Sequence, residues 1–386
     1  MMKTVIAIDS FKGCISSIEA GQLLKRAILN AYPEDMVDVF PLADGGEGTV
    51  DAMTQGLHGT FVEVTVRGPL GAPIKSHYGY LPDTGTAVIE MADASGLPLV
   101  PPEKRNPLNT TTYGLGELIL AAIDRGCRHF IIGIGGSATN DCGLGMLTAL
   151  GFQFLKDDGS KAGIFGGNLA DVAGIDATRA DRRLKDCQFE IACDVTNPLC
   201  GPDGCSCVYG PQKGATPAIV ARMDGDIHHF ADLAEQTLGR RGQELPGAGA
   251  AGGIGFAFRV FLNGVLKPGI NLILSSIGIE QALANADVLI TGEGCMDRQT
   301  AMGKGPVGVA QLAKECRSCC ITVALCGSAL PDAEFVNQHG IDAYFPILHV
   351  PMSIEEAMDR DNTERNLRQT VQQVMHLLHR VDGYSL

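Results

Sequence analysis

At 386 residues the chain exceeds what a single hydrophobic core ordinarily serves and predicts two α/β domains with a cleft between them. Hydrophobic residues reach 45%, charged residues only 19% and Trp is absent, which excludes the disordered and fibrous classes and leaves an ordinary globular enzyme. The formal net charge of -14 argues against nucleic acid or an anionic membrane as partner, but not against an anionic small molecule, which a local knot of Lys, backbone N–H groups and metal ions binds whatever the global charge.

The first apolar run, Val5 to Ile8, is too short for a secretory leader and reads as a first strand. No stretch approaches the ~20 apolar residues that span a bilayer. Thirteen Cys, an odd number, fit a reducing, cytoplasmic setting in which thiols serve as small buried hydrophobes rather than disulfides. In chain order the pattern predicts a strand over 4–8, a turn over 9–13, a helix over 17–31 and a strand over 38–41, which is a βαβ unit. A Gly turn over 44–48 leads into a helical segment near 49–55. Hairpin-like strands follow over 61–66 and 74–80, broken by Gly68-Pro69-Leu70-Gly71. The βαβ rhythm returns late, with a strand over 288–291, a helix over 306–314 and strands over 321–325 and 343–346. The fold class expected from this rhythm is α/β in two domains: a Rossmann-like parallel-sheet domain formed by both chain ends (1–70 and 281–386) and a second mixed α/β domain inserted into it (71–280).

The richest stretch is an apolar strand that runs from Ile131 into Gly135-Gly136-Ser137-Ala138-Thr139-Asn140-Asp141 and then into a helix near 144–150. Gly135 and Gly136 let backbone approach an anion, the following helix N-terminus adds positive potential, and Ser137, Thr139 and Asn140 add short donors. The competing reading is that Asn140 or Asp141 caps the helix. Gly247, Gly249 and Gly252 formally satisfy G-x-G-x-x-G, which would suit an NAD-dependent dehydrogenase. The polar segment before them, ending in Pro246, is no buried strand, so Gly249 and Gly252 stay balanced between a phosphate-contacting helix start and a packing turn.

Carboxylates recur at strand ends and in Gly turns: Asp9, Asp44, Glu47, Asp194, Glu293 and Asp297. Ligands of α/β sheets collect outside the carboxyl ends of strands, and phosphoryl transfer needs Mg²⁺ ligands plus a group that takes the hydroxyl proton. Lys12, just after the first strand, is the candidate phosphate cation, whereas Lys213 in its Gly turn reads as a surface lysine. No G-x-x-x-x-G-K-[ST] occurs, the Cys at 193, 200, 205 and 207 and at 316, 319 and 320 lack paired C-x-x-C knuckles, and the nine His form no catalytic pattern.

Taken in order, the motifs Asp9-Ser10-Phe11-Lys12-Gly13, Leu42 to Thr49, Gly135 to Asp141, Cys193 to Leu199, Gly210 to Gly214, Gly247 to Phe256 and Thr291-Gly292-Glu293-Gly294 with Asp297, Gln299 and Thr300 run nearly end to end. In this set the chain resembles the bacterial glycerate kinases. The resemblance implies phosphorylation of D-glycerate to 2- or 3-phosphoglycerate with ATP and Mg²⁺ in a cleft between two α/β domains, and it leaves the oligomeric state open. Onto the matching positions we assign catalysis to Asp194, Lys12 and Asp44, with Asp194 or Asp44 as base or metal ligand. Substrate or phosphate binding goes to Ser10, Gly45, Gly46, Glu47, Gly135, Gly136, Ser137, Asn140, Asp141, Gly249, Gly252, Glu293 and Asp297, and the metal to Asp194 and Asp297. Two positions depart from the expected pattern: Cys295 where Arg is usual, and Cys142 where Gly is usual. Loss of that Arg leaves either a tolerant structural position or a weakened anion site that recruits Lys304 or Arg298. It also leaves as an alternative a non-catalytic metabolite-binding protein of the same fold.

Overall fold

The structure, a computed structural model, describes residues 1–382 except Lys12, Asp44, Gly45, Glu47 and Lys304, and describes Met302 and Asp382 without their side chains. Four expected site residues, Lys12, Asp44, Gly45 and Glu47, thus lie outside the described residues.

Among the described residues thirteen strands run in chain order: β1 (Lys3–Ile8), β2 (Met36–Pro41), β3 (Thr60–Arg67), β4 (Pro73–Leu81), β5 (Thr86–Glu90), β6 (His129–Gly133), β7 (Gln153–Leu155), β8 (Gly174–Asp176), β9 (Gln188–Ala192), β10 (Val265–Lys267), β11 (Val288–Met296), β12 (Ile321–Ala329) and β13 (Ala343–Pro346). They serve two compact units. The first holds Met1–Asp44, Asp51–Leu57 and Ile270–Leu386, and the second Gly45–Val50 and His58–Gly269.

In the first unit a wholly parallel sheet has the order β13-β12-β11-β1-β2. Its inner strands are near-continuous apolar runs, as burial on both faces demands; Val5 to Ile8 and Val288 to Ile290 are almost inaccessible. The helix Ser17–Ala31 starts at a capping box between Ser16 and Glu19 and packs close on the sheet at Gly21, where a Cβ would come 2.5 Å from Val39. The long helix Arg360–Asp382, which the sequence pattern did not single out, lays Leu367, Val371 and Met375 into the same core. His379 and His376 pin it. His379 meets the buried Asp35 at 2.7 Å and stacks on Tyr32 at 3.7 Å, while the Tyr32 hydroxyl reaches His376 at 2.5 Å.

The second unit is built on a mixed sheet of order β10-β9-β6-β5-β4-β3, parallel from β10 to β5 and antiparallel beyond, with β7 and β8 as a separate pair. Its core gathers Phe130, Phe189, Phe230, Phe256 and Phe258 with the buried face of helix Tyr113–Asp124. The division of the chain differs from the expected one at both joints. Residues 58–70 go with the second unit because β3 pairs with β4 along its whole length, from Thr60↔Tyr80 to Arg67↔Pro73, and 270–280 go with the first. Among the described residues no helix is long and apolar enough to cross a membrane.

Candidate functional site

The first unit's chain order reverses between β1 and β11: the chain steps from β1 out to β2, then crosses back to β11 and on to β12 and β13. Such a switch point, at the carboxyl ends of the strands, is where open parallel sheets collect ligands. Asp9 and Ser10 lie there. The Asp9 N–H donates to Gly292 O at 2.9 Å, and the Ser10 N–H donates to Asp9 Oδ1 at 2.6 Å. Gly292 is required by close approach, since a Cβ would sit 1.8 Å from Leu325 O. β11 runs past it to carry Glu293 and Cys295, and Asp297 follows at once.

Thr300, not expected as a site residue, knits these acids together. Its hydroxyl donates to Glu293 Oε1 at 2.5 Å and accepts from the Asp297 N–H at 3.1 Å, while Asp297 Oδ1 accepts from the N–H groups of Gln299 and Thr300 at 2.7 and 3.1 Å. The D-x-x-T spacing was the available signal. Arg298 lies over the Phe335 ring at 5.3 Å, and Lys304 falls outside the described residues. In register with Glu293 sits Cys326, whose thiol is pushed up to about 12, chiefly by burial and further by the Glu293 charge.

In the second unit, β6 ends at Gly133 and delivers an exposed tip, Gly135-Gly136, followed by buried Ser137, Thr139, Asn140 and Asp141. Gly136 takes φ +70°. Gly136 O and the Ala138 N–H are engaged by Leu97 and Ser95, but among the described residues no acceptor meets the N–H groups of Gly135, Gly136 or Ser137. Adjacent backbone N–H groups that meet no acceptor are the type of donor set that suits an anion. Gly46 is beside the tip, 3.6 Å from where a Cβ on Gly135 would be, and accepts from the Thr49 hydroxyl at 2.8 Å. Buried Glu90, at the end of β5, accepts from the Val50 N–H at 2.8 Å, and no turn or glycine motif marks it in the sequence.

The rest of the loop is internal scaffolding. Asp141 is wholly buried and accepts from the Thr112 N–H and hydroxyl, both at 2.8 Å, and from Gly143 and Gly145 N–H, both at 3.2 Å. Burial pushes its carboxyl up, against the pull of those donors. The helix Leu144–Ala149 therefore has its starting N–H groups taken by Asp141, and Met146 N–H by Thr112, so it does not offer the anion potential expected of it. Gly249 and Gly252 are also buried. A Cβ would meet Pro198 O at 2.2 Å from Gly249 and Thr139 O at 2.2 Å from Gly252. They are packing glycines, with no strand feeding the turn, which removes the basis of the dinucleotide reading.

Lys213 corrects a reading outright: it is not a surface lysine. It is 2% exposed and donates from Nζ to Ser137 Oγ at 2.8 Å and to Thr139 O at 2.6 Å. Burial lowers its pKa to about 8. Asp194 lies exposed just past β9, and its Oδ1 accepts from the Gly269 N–H at 2.8 Å. For the expected Mg²⁺ the donor chemistry fits, since such an ion is ordinarily held by one or two carboxylates completed by phosphate oxygens and waters. Among the described residues no three His, Cys, Asp or Glu side chains gather as a metal cage.

The model of the glycerate kinase family matches residues 4–379. A glycerate kinase of Bacillus subtilis (strain 168) is 48% identical over 93% of this chain and 93% of its own length, and a glycerate 2-kinase of Escherichia coli (strain K12) is 45% identical over 92% and 93%. A crystal structure from Salmonella typhimurium LT2, provisionally assigned as glycerate kinase 2, superposes with a TM-score of 0.91 at 43% identity, covering 99% of both chains.

The chain belongs to the glycerate kinase family. It is an enzyme of that family, a kinase with an alcohol as phosphoryl acceptor. Cys142, where Gly was expected from the resemblance to glycerate kinases, adopts a backbone conformation that favours Gly. Its φ is +49° and the next residue, Gly143, has φ +74°, so two left-handed residues succeed each other where only Gly is unstrained. Cys142 is fully buried and packs on Gly253, where any larger residue would collide, since a Cβ there would come 2.9 Å from the Cys142 Cα.

Proposed function

We propose that this kinase transfers the γ-phosphoryl group of ATP to the 2-hydroxyl of D-glycerate with Mg²⁺ as cofactor. The observation that carries the reading is similarity over nearly the whole chain to glycerate kinases, among them a relative named for the 2-position. The geometry supports it. Ser10, Glu293 and Asp297 stand at a sheet's ligand-collecting end, and the Gly135 to Ser137 tip presents unengaged N–H donors suited to a carboxylate or phosphate.

In this reading Asp194 accepts the proton of the attacking hydroxyl, and the Gly135, Gly136 and Ser137 N–H groups hold an anionic group in place. Asp297, kept in one orientation by the Thr300 and Gln299 N–H groups, would hold Mg²⁺ with Glu293. When bound, the ion supplies charge neutralisation at the phosphate oxygens. Little covalent chemistry is asked of the protein, and positioning of the two substrates supplies most of the rate. A coupled assay for ADP with ATP, Mg²⁺ and D-glycerate tests the reaction, and no ADP above the glycerate-free control would end the reading. The position of transfer is read by ³¹P NMR of the product; 3-phosphoglycerate would overturn the 2-hydroxyl assignment.

A further inference from the structure

One buried cation has no place in the scheme above. The turn that carries Lys213 is rigid: a Cβ on Gly210 would lie 2.3 Å from Ser206 O, and one on Gly214 2.1 Å from Arg105 O. Within it Lys213 points inward, where an ammonium is costly unless its donors are used. Two are, on Ser137 Oγ and Thr139 O. From the same segment Ser206 accepts from Asn140 Nδ2 at 2.9 Å, so residues 205–213 back the loop from behind. Thr139 Oγ1 and Asn140 Oδ1 are buried with no hydrogen-bond partner among the described residues.

The consequence falls on one proton. Lys213 is a donor only, so Ser137 Oγ is an acceptor in that bond and its own proton points elsewhere. Among the described residues no acceptor meets the N–H groups of Gly135 and Gly136 at the exposed tip or of the buried Ser137 that follows them. We propose that Lys213 is a positioning residue: by occupying a lone pair of Ser137 Oγ it turns the Ser137 hydroxyl into a fourth donor for an oxyanion seated on the tip. The ligand chemistry is a carboxylate or a phosphate, which D-glycerate and ATP respectively supply. This rests on the proposed function for the identity of the substrates, though not for the anion.

The test is a double-mutant cycle of Ser137→Ala and Lys213→Met, with each protein checked by thermal melting. Each single substitution is expected to lower kcat/KM by about 10- to 100-fold, as loss of a charge-assisted donor does, and the double variant no further. A rise in the KM for D-glycerate seats the carboxylate on the tip, and a rise in the KM for ATP seats phosphate there. Losses that simply multiply, or a Lys213→Met protein with wild-type kinetics, overturn the proposal. Should Lys213→Met not fold, binding of inorganic phosphate to wild type and Ser137→Ala is compared by calorimetry from pH 7 to 9.5. Weakening towards high pH in the wild type alone supports the pairing, and parallel curves or no phosphate binding refute it. A wild type inactive on glycerate would sink the substrate reading while leaving this phosphate measurement to decide on Lys213.

Discussion

Two sets of carboxylates in this chain look alike in sequence and differ in what surrounds them. Asp297, past the strand ends of the first unit, is half-buried, its Oδ1 held by two backbone donors, and the half-buried Glu293 near it takes the Thr300 hydroxyl. Asp141, in the glycine loop of the second unit, is wholly buried, and four donors converge on its two oxygens. Saturated by its own backbone, a carboxylate holds a loop in shape. Left within reach of solvent, it is available to a metal or a substrate. The same contrast separates glycines: Gly135 and Gly136 are exposed with unengaged N–H groups, while Gly249 and Gly252 are buried against backbone.

The largest effect is expected where that scaffolding is broken. In Gly252→Ala the new methyl would meet Thr139 O at 2.2 Å and Asn140 Cα at 2.7 Å, at a position whose φ is +72°. A loss of about 4 kcal/mol is expected from overpacking plus backbone strain, read by urea unfolding. A loss below about 1 kcal/mol would mean that the loop yields and is not the rigid support described. Next comes the charge behind the loop. Lys213 titrates at about 8 when folded against 10.5 unfolded, so between those values the unfolded chain binds more protons and this group makes stability rise with pH. Buried thiols act in the opposite direction above pH 9, since Cys187 and Cys205 are both pushed up to about 11 by burial. The measurement is therefore the stability of wild type minus that of Lys213→Met, which should grow by about 3 kcal/mol from below pH 8 to above pH 10.5. A flat difference would place the ammonium in contact with solvent.

How much of this was legible follows from the reach of each signal. The helix Ser17–Ala31 and the strand Ala343–Pro346 fall where periodicity and turn residues set them, because both signals are local. The pairing of β3 was not legible, since an alternating hairpin does not say which sheet it joins. The helix Arg360–Asp382 hides its buried stripe, Leu367, Val371, Val374 and Met375, in a mostly polar segment. Of the site, the Gly turns and the acids were visible as residue types in turns. That Asp141 is saturated, that Lys213 is buried and that Thr300 joins two acids are tertiary facts, fixed by which backbone atoms the fold brings near each side chain.

The contrast between the two acids is sharpened by giving both the same substitution. In Asp297→Asn the remaining Oδ1 still accepts from Gln299 and Thr300, and Asn serves such turns nearly as well as Asp. Stability should change by less than about 1 kcal/mol, while kcat/KM falls about 30-fold (about 2 kcal/mol) as a ligand-directed charge is lost. In Asp141→Asn an amide NH₂ replaces an oxygen that faces N–H donors on either side, so stability should fall by about 2 kcal/mol with activity following the folded fraction. The inverse pattern, Asp297 structural and Asp141 kinetic, would overturn the comparison.

The smallest expected effect bears on Cys295. The side chain is exposed, and strand alternation places it on the same face of β11 as Glu293, two residues beyond. An Arg at that point brings a bidentate donor to the end of the sheet where the acids stand, and what it does there depends on which anion it meets. If it meets a substrate carboxylate or phosphate, Cys295→Arg should lower the KM of that substrate about threefold at unchanged kcat, the mark of an interaction made equally in ground and transition states. The gain is modest because a solvated ion pair contributes only about 0.2 to 1 kcal/mol. If the guanidinium pairs with Glu293 instead, the same substitution should raise the KM by withdrawing that carboxylate. No change in either constant would identify the position as one whose side chain the reaction does not feel, and the native Cys as a tolerated replacement.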